Sequence, residues 1–221
     1  MHSRTIKTAV ASCLAQSFAM AGYQTLLVDG DLVGSGLSTE YAHDSNTRGL
    51  RDIIAQGDPN GTVHRTSKPR LWMMPAGSSR EVTPDTLSAD DVSLFLEMAR
   101  KHYDVIVIDA GSATRNIESV LTTAASDRTV IAVDHHEAKI TANDAIRRLE
   151  RAGAPVSGLV YTGASYEDAR RSGFVCERSV AESMYPEGLA NPGREAPSFQ
   201  SATVNTTDQN ANDSDRHVAA A

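Results

Sequence analysis

Short apolar runs alternate with amphipathic stretches along the first three quarters of this chain. The apolar runs have the pattern of strands that are covered on both faces, and they lie at residues 26–28, 71–74, 105–108, 130–133 and 156–161. Stretches with helical spacing separate them, at residues 8–21, 48–57, 92–102, 117–125 and 141–152. This alternation implies right-handed crossovers, so we predict a doubly wound α/β fold with a mainly parallel sheet and helices on both faces.

Local signals place several helix ends. In the first helical stretch, apolar residues recur at i, i+4 and i+8 and predict the face that packs on the sheet: Val10, Leu14 and Phe18, with Cys13 beside them. Gly22 is a C-terminal stop signal for that helix, and Gly57 has the same role in the next one. Ser88 followed by Asp91 is typical of a capping box at the start of the helix that contains residues 92–102.

The alternating pattern stops near residue 165. Residues 190–221 are rich in Asn, Ser, Thr, Asp and Ala and contain one aromatic residue, Phe199. Such a segment buries too little apolar surface to offset the entropy lost on ordering. We therefore expect one α/β domain over residues 1–164 and a mostly disordered tail over residues 165–221.

Composition narrows the classes of function and the compartment. The 221-residue chain has a formal net charge of -7, and a basic face for nucleic acid is not evident in the sequence. Its two cysteines are too few for a disulfide framework, which favours a reducing compartment. The N-terminal residues lack a signal-peptide pattern, and no apolar run reaches the roughly 18 residues of a membrane span. We expect a cytoplasmic protein that does not bind nucleic acid.

Aspartates follow two of the predicted strands. Asp29 and Asp31 come directly after the first apolar run, and Asp109 ends the run YDVIVID. Ligands of open parallel sheets bind beyond the carboxyl ends of the strands, so these side chains would face one site. A pair of aspartates at a strand end suits Mg²⁺, which keeps several waters and takes few carboxylates. The alternative is that each aspartate starts a turn through side-chain to backbone hydrogen bonds.

A Lys-Thr pair opens the first helical stretch. Lys7 could reach phosphate oxygens held by the N–H groups of a helix N-terminus, and Thr8 could ligate Mg²⁺. A surface position without function is the alternative for such a dipeptide. A dinucleotide-binding oxidoreductase is disfavoured, because no G-x-G-x-x-G follows a first strand.

Taken in series, five segments resemble the MinD/ParA-like ATPases with a deviant Walker A motif. Within that group they resemble the bacterial tyrosine kinases of capsule and exopolysaccharide synthesis. The resemblance covers residues 4–163, and its segments are KTAVASCLAQSFAMAGYQTLLVDGDL, RGLRDIIAQG, WMMPAGSS, KHYDVIVIDAGSA and TVIAVDHHEAKITANDAIRRLERAGAPVSGLVYTG. It implies a P-loop NTPase-like fold.

The resemblance also implies roles for individual residues. Lys7 and Thr8 would bind phosphate and Mg²⁺, Asp29 and Asp31 would form the second acidic motif, and Asp109 would be the Walker B acid. The catalytic residues would then be Asp29, Asp31 and Lys7, and the metal ligands Thr8, Asp31 and Asp109. Thr162 stands where the family has the asparagine that contacts adenine.

Departures from the family pattern concentrate at the phosphate loop. Arg4 and Ile6 stand where the loop has glycines, which hinders the positive-φ turns and the close backbone approach that phosphate binding needs. Val33 replaces an arginine, and the family's C-terminal tyrosine cluster is absent. Only residues 1–3 precede Arg4, so the strand that normally leads into the loop is expected to be missing, through an N-terminal truncation or decay of the gene.

The function implied by the resemblance is phosphoryl transfer from Mg-ATP to tyrosine in capsule or exopolysaccharide biosynthesis. The implied partner is a membrane polysaccharide co-polymerase or chain-length regulator, which would bring a cytoplasmic chain to the membrane, and homo-oligomers are also compatible with the family. Two alternatives stay open. One is a non-catalytic pseudo-ATPase module that binds a partner, and the other is a MinD/ParA-like ATPase that uses water as the acceptor.

Overall fold

The computed structural model describes residues 2–41, 47–83, 86–135, 139–163 and 217–220. Helices in this part of the chain are α1 (His2–Met20), α2 (Gly36–Tyr41), α3 (Leu50–Gln56), α4 (Ala89–Arg100), α5 (Ile117–Ala124) and α6 (Lys139–Arg151). The strands are β1 (Thr25–Asp29), β2 (His64–Arg65), β3 (Leu71–Met74), β4 (Val105–Asp109), β5 (Arg128–Asp134), β6 (Val156–Thr162) and β7 (His217–Ala220).

All the strands join one sheet in the order β2-β3-β1-β4-β7-β5-β6. The pairs from β3 to β6 are parallel, and the short β2 runs antiparallel to β3 at one edge. Apolar clusters cover both faces around β1 and β4, with Leu26 and Ile106 on one face and Leu27 and Val107 on the other. The predicted doubly wound, mainly parallel α/β fold is confirmed.

Helix α1 contacts the sheet through a different face from the predicted one. Ala11 and Ala15 are fully buried and cluster with Leu27, Val105 and Val107, and Ala19 continues this stripe. The residues predicted to form the buried face are only partly buried beside the stripe: Val10, Leu14 and Phe18. Small alanine side chains let the helix approach the strands closely, so the larger side chains pack at the rim.

The predicted helix-end signals are confirmed. Gly22 has a φ of 103° just after α1, and Gly57 caps α3 with a φ of 66°. Ser88 Oγ accepts a hydrogen bond from Asp91 N at 3.2 Å, and Ser88 N donates to the Asp91 carboxylate at 3.0 Å. These bonds form the capping box that begins α4.

Strand β7 changes one expectation drawn from the sequence and occupies a central position in the sheet. Residues 217–220 fall in the segment expected to be disordered, yet they form a strand between β4 and β5. Parallel pairing joins His217–Ala220 to the residues from Val105 to Ile108, so the middle of the sheet is not empty. The rest of the predicted tail, residues 165–216 and 221, lies outside the described residues.

Candidate functional site

The predicted aspartates meet at the carboxyl ends of β1 and β4. These strands are parallel neighbours, and Asp29 and Asp109 are register partners at their ends. The pairing continues one residue further, because Gly30 N donates to Asp109 O at 2.9 Å. A Cβ on Gly30 would lie 2.8 Å from Ile108 Cγ2, so glycine is needed for this close approach. The sheet therefore fixes the spacing between the two acidic segments.

Asp29 is fully buried and is held by Ser38. Ser38 N and Ser38 Oγ donate to Asp29 Oδ2 at 2.7 and 2.6 Å, and Asp31 N donates to Asp29 Oδ1 at 3.2 Å. Ser38 Oγ also accepts from Ala76 N at 2.8 Å, which ties the end of β3 to the same carboxylate. Ser38 was not among the predicted site residues, and the sequence signal for it is a serine near the start of a short helix after D-x-D.

Burial raises the pKa of Asp29 to about 6. The loss of solvation is the largest cause, and the charges of Asp109 and Asp31 add to it. The two hydrogen bonds from Ser38 act in the opposite direction, because they stabilise the ionised carboxylate. Burying the ionised form of Asp29 therefore lowers the free energy of unfolding at neutral pH.

Asp31 lies in a pocket shaped by glycines. Its Oδ1 accepts a hydrogen bond from Gly34 N at 2.7 Å, and Asn116 Nδ2 lies 3.5 Å from the same oxygen. A Cβ on Gly111, whose φ is 77°, would lie 2.9 Å from Asp31 Cγ. The Asp31 carboxylate can therefore occupy this position only because glycines, which have no side chain, stand beside it on the loops after β1 and β4.

Thr8 and Asp109 are in direct contact. Thr8 Oγ1 donates to Asp109 Oδ2 at 2.7 Å, and Gly111 N donates to Asp109 Oδ1 at 3.3 Å. Burial raises the pKa of Asp109, with a smaller contribution from Asp31, while the two hydrogen bonds and the positive charge of Lys7 lower it. Lys7 lines a cavity of about 60 Å³ together with the loop of residues 110–114 that follows β4. A lysine, a threonine hydroxyl and carboxylates thus share one edge of the sheet.

The environment of Lys7 and Thr8 differs from the one predicted. Helix α1 begins at His2, so the Lys-Thr pair lies in its second turn and not at its start. At that depth the backbone N–H groups bond to carbonyls one turn back, and they do not point at a ligand. The part of the chain described here consequently has no backbone phosphate cradle next to Lys7, which agrees with Arg4 and Ile6 in place of glycines.

Thr162 lies apart from the aspartates. It ends β6, which is separated from β4 by β7 and β5 in the strand order. Its hydroxyl donates to Val133 O at 3.2 Å, and its carbonyl accepts from His135 N at 2.9 Å. At about 4.8 Å per strand, Thr162 is roughly 14 Å from β4 along the carboxyl edge. A ligand that contacted both Thr162 and the aspartates would have to span this distance.

The donor atoms near Thr8 are oxygens, the type that Mg²⁺ prefers. A Cβ on Gly36 would lie 2.9 Å from Thr8 Oγ1, so a side chain at this position in α2 would crowd the hydroxyl. No group of three or more His, Cys, Asp or Glu residues within the described ranges is arranged to hold a metal ion by itself. The residues therefore fit a magnesium ion that takes its remaining ligands from phosphate and water.

Relatives and solved structures with similar folds were found. The tyrosine-protein kinase CpsD of Streptococcus pneumoniae is 26% identical over 157 residues, which are 70% of this chain and 69% of that protein. The tyrosine-protein kinase etk of Escherichia coli K12 is 27% identical over 160 residues, and the chain spans 22% of its length. No family model matches the chain.

Solved structures agree in fold. The VpsO kinase domain has a TM-score of 0.65 and 20% identity, covering 72% of this chain and 78% of that one. Cobyrinic acid a,c-diamide synthase from Mycobacterium smegmatis with a bound ATP analogue and magnesium has a TM-score of 0.61 and 15% identity, with coverage of 76% and 74%. At these identities the likeness establishes the fold alone, which this chain shares with the two solved structures.

Proposed function

Because this chain is a homologue of the bacterial tyrosine-protein kinases, we propose that it is a Mg-ATP-binding tyrosine kinase-like domain of capsule or exopolysaccharide biosynthesis. The observation that carries the proposal is the 2.7 Å hydrogen bond between Thr8 and Asp109 at the carboxyl edge of the sheet. A hydroxyl on a helix and a carboxylate at a strand end are the protein groups that hold magnesium in P-loop enzymes. Their proximity supports a nucleotide site at this edge.

Each predicted site residue has a role in this proposal. Thr8, Asp31 and Asp109 would hold Mg²⁺ together with phosphate oxygens and water, and the ion would supply neutralisation of phosphate charge. Lys7 neutralises a phosphate oxygen through its ammonium group. Thr162 contacts the base at the other end of the nucleotide.

Asp31 and Asp29 have different roles in the proposed reaction. The hydrogen bonds from Gly34 and Asn116 both reach Asp31 Oδ1, so in our proposal the other carboxylate oxygen, Oδ2, accepts the proton of the tyrosine hydroxyl. Asp29 is fully buried and bound by Ser38, so it fixes the loop that carries Asp31 and adds negative charge behind it. A loose phosphoryl-transfer transition state requires mainly this positioning and charge neutralisation.

The proposed partner is a membrane polysaccharide co-polymerase or chain-length regulator, and the acceptor tyrosine lies on another protein or subunit. None of the helices in the described ranges is long and apolar enough to cross a membrane. In this proposal the partner brings the chain to the membrane. This assignment rests on the similarity to the tyrosine-protein kinases.

One observation favours a second candidate, a pseudo-ATPase module that binds a partner without turnover. Helix α1 runs without interruption from His2 through Thr8, and no glycine occurs between them. The turn that would bring backbone N–H groups onto phosphate is therefore not available in this conformation. Binding of ATP would require α1 to unwind locally at its start.

The two candidates are separated by titration calorimetry of ATP with and without Mg²⁺. The kinase proposal expects micromolar, magnesium-dependent binding that falls roughly 10- to 100-fold in Lys7→Ala, since a charge-assisted hydrogen bond is lost. Asp109→Asn should weaken the magnesium-dependent part. Lys101→Ala, an exposed lysine at the end of α4, serves as the matched control and should bind normally.

Tyrosine phosphorylation is then measured with radiolabelled ATP and a poly(Glu,Tyr) substrate. Transfer that requires Lys7 and Asp31 supports the kinase. Binding with release of free phosphate but without transfer to tyrosine identifies a MinD/ParA-like ATPase. A folded chain that shows no ATP binding refutes the proposal and leaves the pseudo-ATPase module.

A further inference from the structure

Arg51 brings a positive charge to the loop that carries Asp31. Its backbone N donates to Ala76 O at 2.9 Å, which holds the start of α3 against the segment that follows β3. From there the side chain crosses to the loop after β1, where Arg51 Nη2 donates to Leu32 O. Leu32 directly follows Asp31 in the sequence. The guanidinium group therefore lies at the carboxyl edge of the sheet, beside the loop that holds the proposed proton acceptor.

The guanidinium group of Arg51 has hydrogen-bonding capacity that the described residues do not use. The bond to Leu32 O is its one side-chain hydrogen bond in that part of the chain, and Nε is buried without a partner. No ion pair of the described residues includes Arg51, and the neighbouring Asp52 carboxylate accepts from Gly49 N and Ser78 N instead. A charge that is partly buried without a counter-ion favours binding of an anion, and the five N–H donors of arginine match an oxyanion.

Arg51 and Lys7 lie on opposite sides of the acidic residues. The strand order places β3 beside β1 and β1 beside β4, whereas Lys7 lines the cavity formed by residues 110–114 and by residues 129–133 of β5. In the proposed function Lys7 contacts the nucleotide phosphates, and the acceptor of an in-line transfer approaches from the side away from the leaving group. Val33, which follows Leu32, is 54% exposed and offers apolar surface to an aromatic ring. The Arg51 side is therefore the side on which an acceptor segment would bind.

We propose that Arg51 binds a carboxylate of the acceptor segment, so that this domain prefers a tyrosine with Asp or Glu next to it. The inference rests on the proposed function and deepens it by naming the class of acceptor. The contact is a charge-assisted hydrogen bond, which is roughly twice as strong as a neutral one. Salt screens such a contact less at a partly buried site than in open solvent. A segment with neutral residues beside its tyrosine lacks this contact.

Binding of two labelled peptides, measured by fluorescence anisotropy, tests the contact without any turnover. Both peptides contain one tyrosine, which is flanked by glutamates in the acidic peptide and by glutamines in the neutral one. Each is titrated with the chain, with and without Mg²⁺ and a non-hydrolysable ATP analogue. The acidic peptide should bind roughly tenfold more tightly than the neutral one, and Arg51→Gln should reduce this ratio to about one. Equal affinities of the unsubstituted chain for the two peptides would overturn the proposal, as would no binding of the acidic peptide up to about 1 mM.

Two further variants separate recognition of charge from support of the loop. Arg51→Lys keeps the charge and should retain a preference of roughly threefold for the acidic peptide. Arg128→Gln is the matched control, because Arg128 is exposed at the start of β5, on the opposite edge of the sheet, and it should leave the ratio unchanged. Equal weakening of both peptides by Arg51→Gln would overturn the proposal, since the lost bond to Leu32 O would then account for the effect.

The salt dependence of the unsubstituted chain covers the case in which the Arg51 variants do not fold. Binding of the acidic peptide should weaken several-fold between about 50 and 300 mM salt, while binding of the neutral peptide changes little. The same salt dependence for both peptides would contradict recognition of a carboxylate.

Phosphate transfer is measured separately from peptide binding. In Arg51→Gln the KM for the acidic peptide should rise roughly tenfold, while the affinity for Mg-ATP in calorimetry stays the same. Binding of the acidic peptide that needs Arg51, without transfer of phosphate, refutes the proposed kinase activity and leaves the Arg51 site in place. Transfer to both peptides with equal kcat/KM keeps the kinase activity and overturns the proposal for Arg51.

Discussion

Replacing Asp29 with asparagine should stabilise this protein at neutral pH, even though the aspartate accepts good hydrogen bonds. Asp29 is fully buried at the end of β1, and its pKa is raised from 3.8 to about 6. A carboxyl whose pKa is higher in the folded state binds more protons there than in the unfolded state. Stability therefore falls as the pH rises from about 4 to about 6, and the full loss is present at pH 7.

The magnitude follows from the shift. A change of about two pKa units corresponds to about 3 kcal/mol of unfolding free energy at pH 7. Asparagine has nearly the same shape, and its carbonyl can still accept from Ser38. Its amide group would face Asp31 N, so one hydrogen bond worth about 1 kcal/mol is lost. The net expectation is a gain of about 2 kcal/mol at pH 7 and a loss of about 1 kcal/mol near pH 4.

Urea unfolding followed by circular dichroism from pH 4 to pH 8 measures both the gain expected at pH 7 and the loss expected near pH 4. Ser38→Ala is the matched variant, because it removes the hydroxyl that lowers the pKa of Asp29. It should destabilise the protein by about 1 to 2 kcal/mol at pH 7 and by less at pH 4. A difference between Asp29→Asn and the unsubstituted chain that stays constant with pH would refute this reasoning.

Further predictions concern the Thr8 hydroxyl, Gly111 and Gly57, and the N-terminal cap of α4. Thr8→Val should weaken magnesium-dependent ATP binding roughly tenfold in calorimetry without abolishing folding, because it removes one of the oxygens proposed to ligate Mg²⁺. Gly111→Ala should lower the unfolding free energy in urea by about 2 kcal/mol or more, because the added Cβ would contact Asp31 and the residue has a positive φ. Gly57→Ala has open space around the added Cβ, so it should lose only about 1 kcal/mol in the same urea denaturation assay. Ser88→Ala should lose about 1 kcal/mol of thermal stability through the capping box.

The acidic half of the site could be predicted from the sequence because its geometry is dictated by strands. Residues 26–28 and 105–108 are apolar runs long enough to identify β1 and β4, and the carboxyl ends of parallel strands meet at one edge. The aspartates that follow such runs are therefore brought together whatever the loops do. Ser38 escaped prediction because it belongs to α2, a helix of six residues that is too short for a periodic signal.

The two features of the fold that the sequence did not predict, the buried face of α1 and strand β7, have weak hydrophobic patterns. The buried stripe of α1 consists of Ala11, Ala15 and Ala19, and a pattern search favours the larger neighbours that pack beside it. Strand β7 is four residues long and is identified by backbone pairing with strands distant in sequence. Neither periodicity nor local composition reports such pairing, which is why residues 217–220 resembled the rest of a polar tail.

The electrostatics of the site lead to a condition on any nucleotide binding. Asp29 and Asp109 are buried with raised pKa values, and Asp31 adds a further carboxylate at the same edge, while Lys7 is the cation whose charge lowers the pKa of Asp109. A triphosphate that approaches these carboxylates without a metal ion meets like charges in a poorly solvated position. Helix α1 also offers no free N–H groups beside Lys7 to offset this repulsion. Binding of ATP should therefore be almost wholly magnesium-dependent, and metal-free binding would place the nucleotide elsewhere on the protein.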